Sequence, residues 1–258
     1  MIQYITLDTI SSLFSFCHGN PFGCKILSLI RAYGLETPFA GFWIQKDGTQ
    51  MITAALAKLE DAAILYAQKE ADWEEIEAFL PFVGVRIILY PAEIAAFCAF
   101  KKVSSGMVMQ WDGMKNLIDF PVTFTQNPPL RDIYALLCTC DKEGFHPPAF
   151  EAFYVDMSHR IRHRCARGIG IFEKNNLYSY AGTVAETDNC AVLGAVATYP
   201  DKQKKGWGSL AVSVLTQQLS EEGKTVFLFR SQGENEHFYQ RLGFSNFCQW
   251  EEAQITSF

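Results

Sequence analysis

One segment of the sequence combines the residue types needed to bind a phosphate group. An apolar run at 191–198 precedes residues 203–209, Gln-Lys-Lys-Gly-Trp-Gly-Ser, which open an amphipathic segment. Backbone N–H groups at a helix start have no partner within the helix, and the helix dipole adds positive potential there. Gly206 and Gly208 have no Cβ, so a phosphate can approach the backbone. The segment predicts an anion-binding loop, to which Lys202, Lys204 and Lys205 add charge. A loop that merely begins a helix, with its lysines in solvent, explains the same residues.

A tyrosine near the end of the chain has the chemistry of a proton donor. Residues 238–244 are Phe-Tyr-Gln-Arg-Leu-Gly-Phe, on a predicted short helix just past a predicted strand at 225–230. A tyrosine in that place can lie over a cleft at the edge of a sheet. Its phenol, with a pKa of about 10, is well matched to protonating a departing thiolate. Taken alone, Tyr239 is better explained as a packing residue.

The elements that must position these groups follow from the apolar pattern. The second half predicts the order helix, helix, three strands, helix, strand, helix, which is an α/β (α+β) arrangement with helices flanking a mixed sheet. Residues 39–100 predict three strands, a helix, a strand and a helix, the same order as the core of the second half. Prolines at 121, 128 and 129 interrupt the pattern between the halves. We therefore expect two domains, 1–125 and 126–258, and the shared order allows the smaller N-terminal α/β domain to be a degenerate copy of the second.

Together, the loop and the tyrosine segment resemble the GNAT superfamily of acyl-CoA-dependent N-acyltransferases. That family carries (Arg or Gln)-x-x-Gly-x-(Gly or Ala) after its fourth strand, matched here by Gln203, Gly206 and Gly208. It also carries a Tyr-x-x-Leu-Gly-Phe run near its end, matched by residues 239–244. The resemblance covers about 130–258 and is sharpest over 191–244. It implies a GNAT-like mixed sheet, and the pairing of the halves resembles tandem family members in which one domain works and the other shapes the substrate cleft.

The resemblance implies an N-acetyltransferase that uses acetyl-CoA as co-substrate and a primary amine of a small molecule or peptide as acceptor. The amine would attack the thioester directly, with Tyr239 as general acid. The pantetheine arm would lie beside a strand, and the pyrophosphate would lie on backbone amides. The implied cofactor-binding residues are Ala195, Val196, Ala197, Thr198, Gln203, Lys204, Lys205, Gly206, Trp207, Gly208 and Ser209. Many members carry an Asn seven residues before the tyrosine; here Gln232 holds that place and Asn235 lies nearby, so both are candidates.

The sequence departs from the family at the general base. The strand at 191–198 contains no carboxylate, where family members most often have one. Glu186, at the end of the preceding strand, is the substitute candidate. A solvated turn carboxylate is the alternative explanation of Glu186, and an exposed amine can also lose its proton through water.

Composition and charge limit the remaining functions. The net charge of −6 argues against a nucleic-acid surface. No run of 18 apolar residues predicts a membrane span, and eight cysteines without a signal-like start indicate a reduced, cytoplasmic protein. His159 and His163 have the i, i+4 spacing of metal ligands, but neighbouring arginines favour a solvated basic face, so no metal is expected.

Two other functions remain open at the level of sequence. Residues 206–211 formally fit G-x-G-x-x-A, as in nucleotide-binding oxidoreductases, although residues 200–205 intervene between them and the strand. A non-catalytic CoA-binding or interaction module on a GNAT scaffold is the second, because the strand carboxylate is missing. In the first half, residues 69–72 contain no glycine and two acids, so we expect no CoA binding there.

Overall fold

The computed structural model describes residues 1–113, 123–140 and 147–255. The chain forms two compact units that interleave along the sequence. The first comprises Met1–Met109, Phe229–Glu234 and Asn246–Phe258, and the second comprises Gln110–Leu228 and Asn235–Ser245. The domain division at 125/126 stays a prediction.

The described residues contain twelve strands, seven α-helices and two 3-10 helices. The strands are β1 (Ile2–Tyr4), β2 (Ala40–Lys46), β3 (Ile52–Leu59), β4 (Ala62–Ala67), β5 (Ile87–Pro91), β6 (Lys101–Trp111), β7 (Phe124–Gln126), β8 (Gly168–Glu173), β9 (Asn176–Glu186), β10 (Cys190–Thr198), β11 (Thr225–Ser231) and β12 (Phe244–Gln254). The helices are α1 (Ile10–Cys17), α2 (Pro21–Tyr33), α3 (Trp73–Phe82), α4 (Leu130–Thr139), α5 (Phe150–Arg162), α6 (Trp207–Glu221) and α7 (Glu236–Arg241). The 3-10 helices are Ala92–Phe97 and Pro200–Lys202.

The first unit is a mixed sheet with helices on both faces. Its strand order runs β1-β2-β3-β4-β5-β12-β6, and the neighbours from β1 to β12 are antiparallel apart from the parallel pair β4–β5. Ile44 shares a core cluster with Leu13 and Leu27 from α1 and α2. Its neighbour Trp43 packs in another cluster with Leu80 of α3. Because adjacent strand residues point to opposite faces, these helices lie on opposite sides of the sheet.

The start of α3 is fixed by a network of side chains. The Asp72 carboxylate accepts a hydrogen bond from the Glu75 backbone N–H at 3.0 Å, which makes Asp72 the N-cap of the helix. The buried Gln45 amide accepts from the Asp72 backbone N–H at 2.9 Å and donates to Glu75 Oε2 at 2.8 Å. Two N–H groups at this helix start, those of Asp72 and Glu75, are therefore met by the protein's own side chains.

The second unit repeats the strand and helix order of the first. Strands β7, β8, β9 and β10 are antiparallel neighbours, and β10 pairs in parallel with β11. Helices α4 and α5 share a core cluster with Ala197 of β10. The next residue, Thr198, contacts the start of α6, because its Oγ1 lies 2.9 Å from the place of a Cβ on Gly208. Alternation along the strand therefore places α6 on the face opposite α4 and α5.

The fold confirms the predicted mixed α/β arrangement and most of the expected elements. Strand β8 coincides with the strand that the sequence predicts at 168–173. The elements predicted at 130–140, 190–199, 206–222, 225–230 and 236–242 agree within a residue or two with α4, β10, α6, β11 and α7. Strands β1, β7 and β12 and helix α1 were not predicted. All three residues of β7 are exposed, and β12 buries only Phe244, Trp250 and Ala253 of its eleven residues, so neither shows an apolar alternation.

Candidate functional site

The second half of β10 has a free backbone edge. Parallel pairing with β11 ends at Leu193 and Leu228, so β10 has no β11 partner from Gly194 onward. On its other side the register with β9 shifts between Gly194 and Ala197, where two β10 residues oppose one β9 residue. Ala195 adopts a φ of 50°, an uncommon conformation for a residue with a Cβ. This β-bulge turns backbone groups out of the ladder, where they can bind a ligand.

Residues 203–209 form a loop whose backbone conformation suits an anion. Lys204 has a φ of 59° and Gly206 a φ of 87°, whereas Gln203 has a φ of −63° and Lys205 is not among the positive-φ residues. Alternating signs of φ turn successive N–H groups toward one side, the arrangement known as a nest. Among the described residues, no backbone hydrogen bond outside helices and strands uses the N–H groups of Lys204, Lys205 or Gly206. These groups are available to a phosphate at the positive end of α6.

Gly208 lets the start of α6 approach β10 closely. A Cβ on Gly208 would lie 2.9 Å from Thr198 Oγ1, and that hydroxyl is 2.9 Å from Ser179 Oγ. The ring of Phe238 lies 3.7 Å from the same Cβ position, which brings α7 next to the loop. The missing Cβ of Gly208 therefore serves helix–strand packing, a role that the spacing of the glycines did not indicate.

Several loop side chains stabilise the loop itself. The Gln203 amide donates to the Thr198 carbonyl at 3.1 Å, and the Lys205 ammonium donates to the Asp201 carbonyl at 2.7 Å. Lys204 is exposed. Three lysines were expected to add charge for an anion. Among the described residues, Lys204 is the one whose ammonium makes no hydrogen bond, ion pair or ring contact with another part of the protein.

Lys202 is held by an aromatic clamp, which we define as Lys202, Glu173, Tyr178 and Trp207. The Lys202 ammonium lies 4.7 Å from the centre of the Tyr178 ring and 4.9 Å from that of Trp207, and it pairs with Glu173 at 2.5 Å. The two rings pack edge to face at 5.9 Å. The clamp connects the first residue of α6 to the β8–β9 hairpin. Sequence reasoning missed it, since Glu173 and Tyr178 carry no local signal for a contact some thirty residues away.

Tyr239 lies on α7 in a largely apolar setting. Its ring packs edge to face on Phe238 at 5.0 Å and on Phe244 at 5.8 Å. Burial raises the pKa of the Tyr239 phenol to about 12. The group is therefore protonated at neutral pH and can act only as an acid there.

The two candidate amides occupy different places. Asn235 begins α7 in the left-handed conformation, with a φ of 52°, and its side chain makes no capping hydrogen bond. Gln232 is exposed and belongs to the first unit, where its backbone N–H donates to the Ser105 carbonyl at 3.3 Å. The structure therefore brings Asn235, but not Gln232, into the unit that carries the loop.

Glu186 lies in a buried ion-pair cluster and is not a solvated turn carboxylate. It is 1% exposed, and its carboxylate pairs with Arg167 at 2.8 Å and with Lys224 at 2.9 Å. The Thr183 hydroxyl also donates to it, at 2.7 Å. Its register partner is Ala191, at the end of β10 away from the bulge. Because Glu186 pairs with two cations and lies away from the bulge of β10, the structure gives no support to Glu186 as general base.

The second unit therefore brings together most of the predicted site residues. Ala195, Val196, Ala197 and Thr198 form the bulged edge of β10, the residues from Gln203 to Ser209 form the adjoining loop, and Tyr239 lies on the helix whose Phe238 contacts that loop. Glu186 stands apart at the other end of β10.

Comparison with known proteins agrees with this arrangement. The family described as FR47-like protein matches residues 168–253. A tandem GNAT protein from the clavulanic acid biosynthesis pathway superposes with a TM-score of 0.63 at 12% identity, covering 100% of this chain and 99% of its own. A Drosophila protein gives a TM-score of 0.67 at 12% identity, covering 99% and 98%. A GCN5-related N-acetyltransferase from Kribbella flavida gives 0.57 at 16% identity, covering 80% and 87%.

These similarities define the class of fold. The chain has the fold of the GNAT superfamily in its tandem form, as the sequence predicted. The family match and the fold support acyl transfer as the general type of reaction. A search of the curated proteins found no match.

The described residues contain neither a membrane-spanning helix nor a group of metal ligands. No helix in the described part of the chain is long and apolar enough to cross a membrane. Among residues 1–113, 123–140 and 147–255, no three His, Cys, Asp or Glu side chains form a group that could hold a metal ion. The rings of His159 and His163 pack against each other with their centres 4.2 Å apart and their planes tilted by 40°.

Proposed function

We propose that the second unit transfers an acetyl group from acetyl-CoA to a primary amine of a small molecule or peptide. This proposal rests on the loop at 204–206. Its consecutive backbone N–H groups have no backbone hydrogen-bond acceptor among the described residues, and they lie beside the free edge of β10. A diphosphate needs several convergent N–H donors at a positive helix end, and an extended pantetheine arm needs an unpaired strand edge. Both features adjoin here.

Each part of acetyl-CoA then has a partner in this proposal. The pyrophosphate binds the amides of Lys204, Lys205, Gly206, Trp207, Gly208 and Ser209, and Lys204 adds a positive charge. The pantetheine arm hydrogen-bonds to the backbone between Ala195 and Thr198. Asn235 and Gln232 stay candidate contacts to the cofactor, the first within the same unit as the loop.

The reaction proceeds by direct attack. The nitrogen lone pair of the neutral amine forms a bond to the thioester carbonyl carbon, and a backbone N–H of the β10 bulge stabilises the negative oxygen. The carbonyl double bond re-forms as the carbon–sulfur bond breaks, and the Tyr239 phenol gives its proton to the departing thiolate and regains one from solvent. β10 carries no carboxylate and Glu186 is held by two cations, so the ammonium proton leaves to water.

The first unit binds no acetyl-CoA in this proposal. The corresponding helix start, at α3, is already capped by the Asp72 carboxylate, and Glu74 and Glu75 lie in its first turn. A phosphate placed there would meet three carboxylates at the helix start. All eight cysteines are free, which suits a reducing compartment, and we place the enzyme in the cytoplasm.

A matched pair of glycine variants tests the cofactor loop. Gly206 and Gly223 flank the two ends of α6, with φ values of 87° and 80°. An alanine at either position costs about 1–2 kcal/mol of backbone strain, so Gly206→Ala and Gly223→Ala should destabilise the fold similarly. Titration calorimetry with acetyl-CoA, and with NADPH as the control ligand, should show binding to the wild type and to Gly223→Ala. Binding to Gly206→Ala should weaken about tenfold or more, the loss expected for one hydrogen bond to a charged group.

The possible results separate clearly. Equal acetyl-CoA affinities for the two alanine variants would remove the loop from the site. Absence of acetyl-CoA binding to the wild-type protein at millimolar concentration would end the proposal. Binding that depends on Gly206 justifies a panel of primary amines, with release of free thiol as the measure of turnover.

A further inference from the structure

Helix α7 is too short to be stable by itself. It has six residues, whereas isolated helices below about 12–15 residues are marginal in water. Its first residue follows Asn235, which is in the left-handed conformation and makes no side-chain capping hydrogen bond. Contacts outside α7 must therefore set its position, and with it the position of Tyr239.

The C-terminal end of α7 is held by the segment that ends β6. The Trp111 indole N–H donates to the Leu242 carbonyl at 2.9 Å, and the Asp112 backbone N–H donates to the Gly243 carbonyl at 2.9 Å. These two bonds hold the two residues that directly follow α7. Gly243 has a φ of 88°, and a Cβ there would lie 2.2 Å from the Gly113 carbonyl oxygen. The two segments are therefore in close backbone contact.

This contact leads directly to Tyr239. The Leu242 backbone N–H donates to the Tyr239 carbonyl at 3.0 Å, while the Leu242 carbonyl accepts from Trp111. Leu242 and Phe244 are both buried, and the Phe244 ring packs against the Tyr239 ring. Leu242 thus connects the Trp111 indole to the Tyr239 backbone, and Phe244, two residues further on, contacts the Tyr239 ring.

We propose that Trp111 is a positioning residue for Tyr239, acting through its hydrogen bond to the Leu242 carbonyl. The inference rests on the proposed function, in which the Tyr239 phenol protonates the leaving thiolate. The indole N–H fixes the end of α7, so the phenol stays in the buried setting and at the place where the sulfur departs. Without that bond the six-residue helix can shift or fray, and the phenol moves with it.

The first test follows Tyr239 itself and needs no acceptor. 3-Fluorotyrosine is incorporated at position 239 of the full chain, and its phenol is titrated by fluorine NMR. Trp111→Phe should lower the measured pKa toward the ordinary value and sharpen the resonance. Benzothienylalanine at position 111, which keeps the ring shape and replaces the N–H by sulfur, should have the same effect without a loss of volume. Trp250→Phe is the control, since the Trp250 indole donates to the Arg230 carbonyl at 3.1 Å in the first unit.

The titration decides between positioning and simple support of the fold. If Trp111→Phe, benzothienylalanine at 111 and Trp250→Phe all leave the Tyr239 pKa and line width as in the wild type, Trp111 does not position the phenol. If all three change them equally, the effect is general loosening and the inference is also wrong. A change confined to the two position-111 variants supports it.

Turnover provides the second test and separates this inference from the proposed function. With an amine found by the panel, Trp111→Phe should lower kcat about tenfold and leave the KM for acetyl-CoA within about twofold, because displacement of a reacting group by an ångström can cost up to a hundredfold. Tyr239→Phe is measured beside it. If Tyr239→Phe turns over normally, the general-acid role fails; if only Tyr239→Phe is slow, the role of Trp111 fails.

Discussion

Replacing Glu186 by Gln separates a structural role for this carboxylate from a catalytic one. The substitution keeps the volume and removes the charge that pairs with Arg167 and Lys224. Removing one partner of a buried ion pair costs about 3–5 kcal/mol. Glu222 stays near both cations, since it pairs with Arg167 and lies 3.5 Å from Lys224, so we expect the low end, about 3 kcal/mol. For a unit of this size that lowers the midpoint of thermal unfolding by about 6–12 °C.

The matched control is Glu222→Gln. The Glu222 side chain is 42% exposed, and pairs in solvent contribute about 0–1 kcal/mol, so this variant should unfold close to the wild type. Differential scanning calorimetry measures both variants at neutral pH. Below its midpoint, Glu186→Gln should bind acetyl-CoA and turn over with the wild-type pH profile, because its carboxylate lies away from the bulge of β10.

Two results would refute this reasoning. One is a midpoint for Glu186→Gln equal to that of Glu222→Gln, which would mean that the buried pair contributes no stability. The other is a folded Glu186→Gln protein whose turnover has lost its dependence on an acidic group, which would restore Glu186 as the general base. A destabilised variant with normal turnover per folded molecule agrees with the structure.

Tyr239→Phe should lower turnover about tenfold or more while acetyl-CoA affinity is unchanged, as expected for loss of a general acid. Burial raises the pKa of Tyr239 to about 12, so wild-type turnover should show no loss assignable to this phenol as the pH passes about 10, the ordinary pKa of tyrosine. The contribution of the protonated phenol to folding stability is complete below about pH 10 and is lost as the pH approaches 12. Lys202→Ala should cost about 1 kcal/mol of stability and weaken acetyl-CoA binding. Lys202→Arg should keep the wild-type stability and affinity, since a guanidinium also stacks on rings and pairs with Glu173. Asp72→Ala should cost about 1 kcal/mol through loss of the cap on α3, with acetyl-CoA affinity unchanged.

Each of these predictions has a result that contradicts it. Normal turnover of Tyr239→Phe, or an alkaline limb near pH 10 that this variant abolishes, would remove the proposed acid or its raised pKa. Equal affinities of Lys202→Ala and Lys202→Arg for acetyl-CoA would show that the aromatic clamp does not shape the loop. A weaker acetyl-CoA complex of Asp72→Ala would indicate that the first unit takes part in cofactor binding.

Local features of this protein could be predicted from the sequence because they depend on neighbouring residues. The Asp72 cap follows from a short acidic side chain three residues before an N–H that needs a partner. The left-handed conformation at Gly206 follows from the only residue type that adopts it freely. The apolar runs of β8 and β10 and the periodicity of α6 predicted their bounds within a residue or two. The order of these elements, with the motif residues on them, was sufficient to predict the fold.

The partners of charged and polar side chains were decided by the tertiary structure alone. Lys202 was expected to face an anion, but the hairpin that carries Glu173 and Tyr178 folds against it. Glu186 was a candidate general base or else a solvated turn carboxylate, yet the register of β9 and β10 buries it between Arg167 and Lys224.

The hydrogen bond that holds the segment after Tyr239 also joins residues far apart in the sequence. Trp111 and Leu242 are separated by 131 residues, and their hydrogen bond exists only because β6 ends beside α7 in the folded chain. Sequence periodicity determines which residues enter a helix or strand, since that choice depends on neighbours along the chain. Which ions pair, and which helix end is held, depends on packing between distant segments, and only the three-dimensional fold determines that.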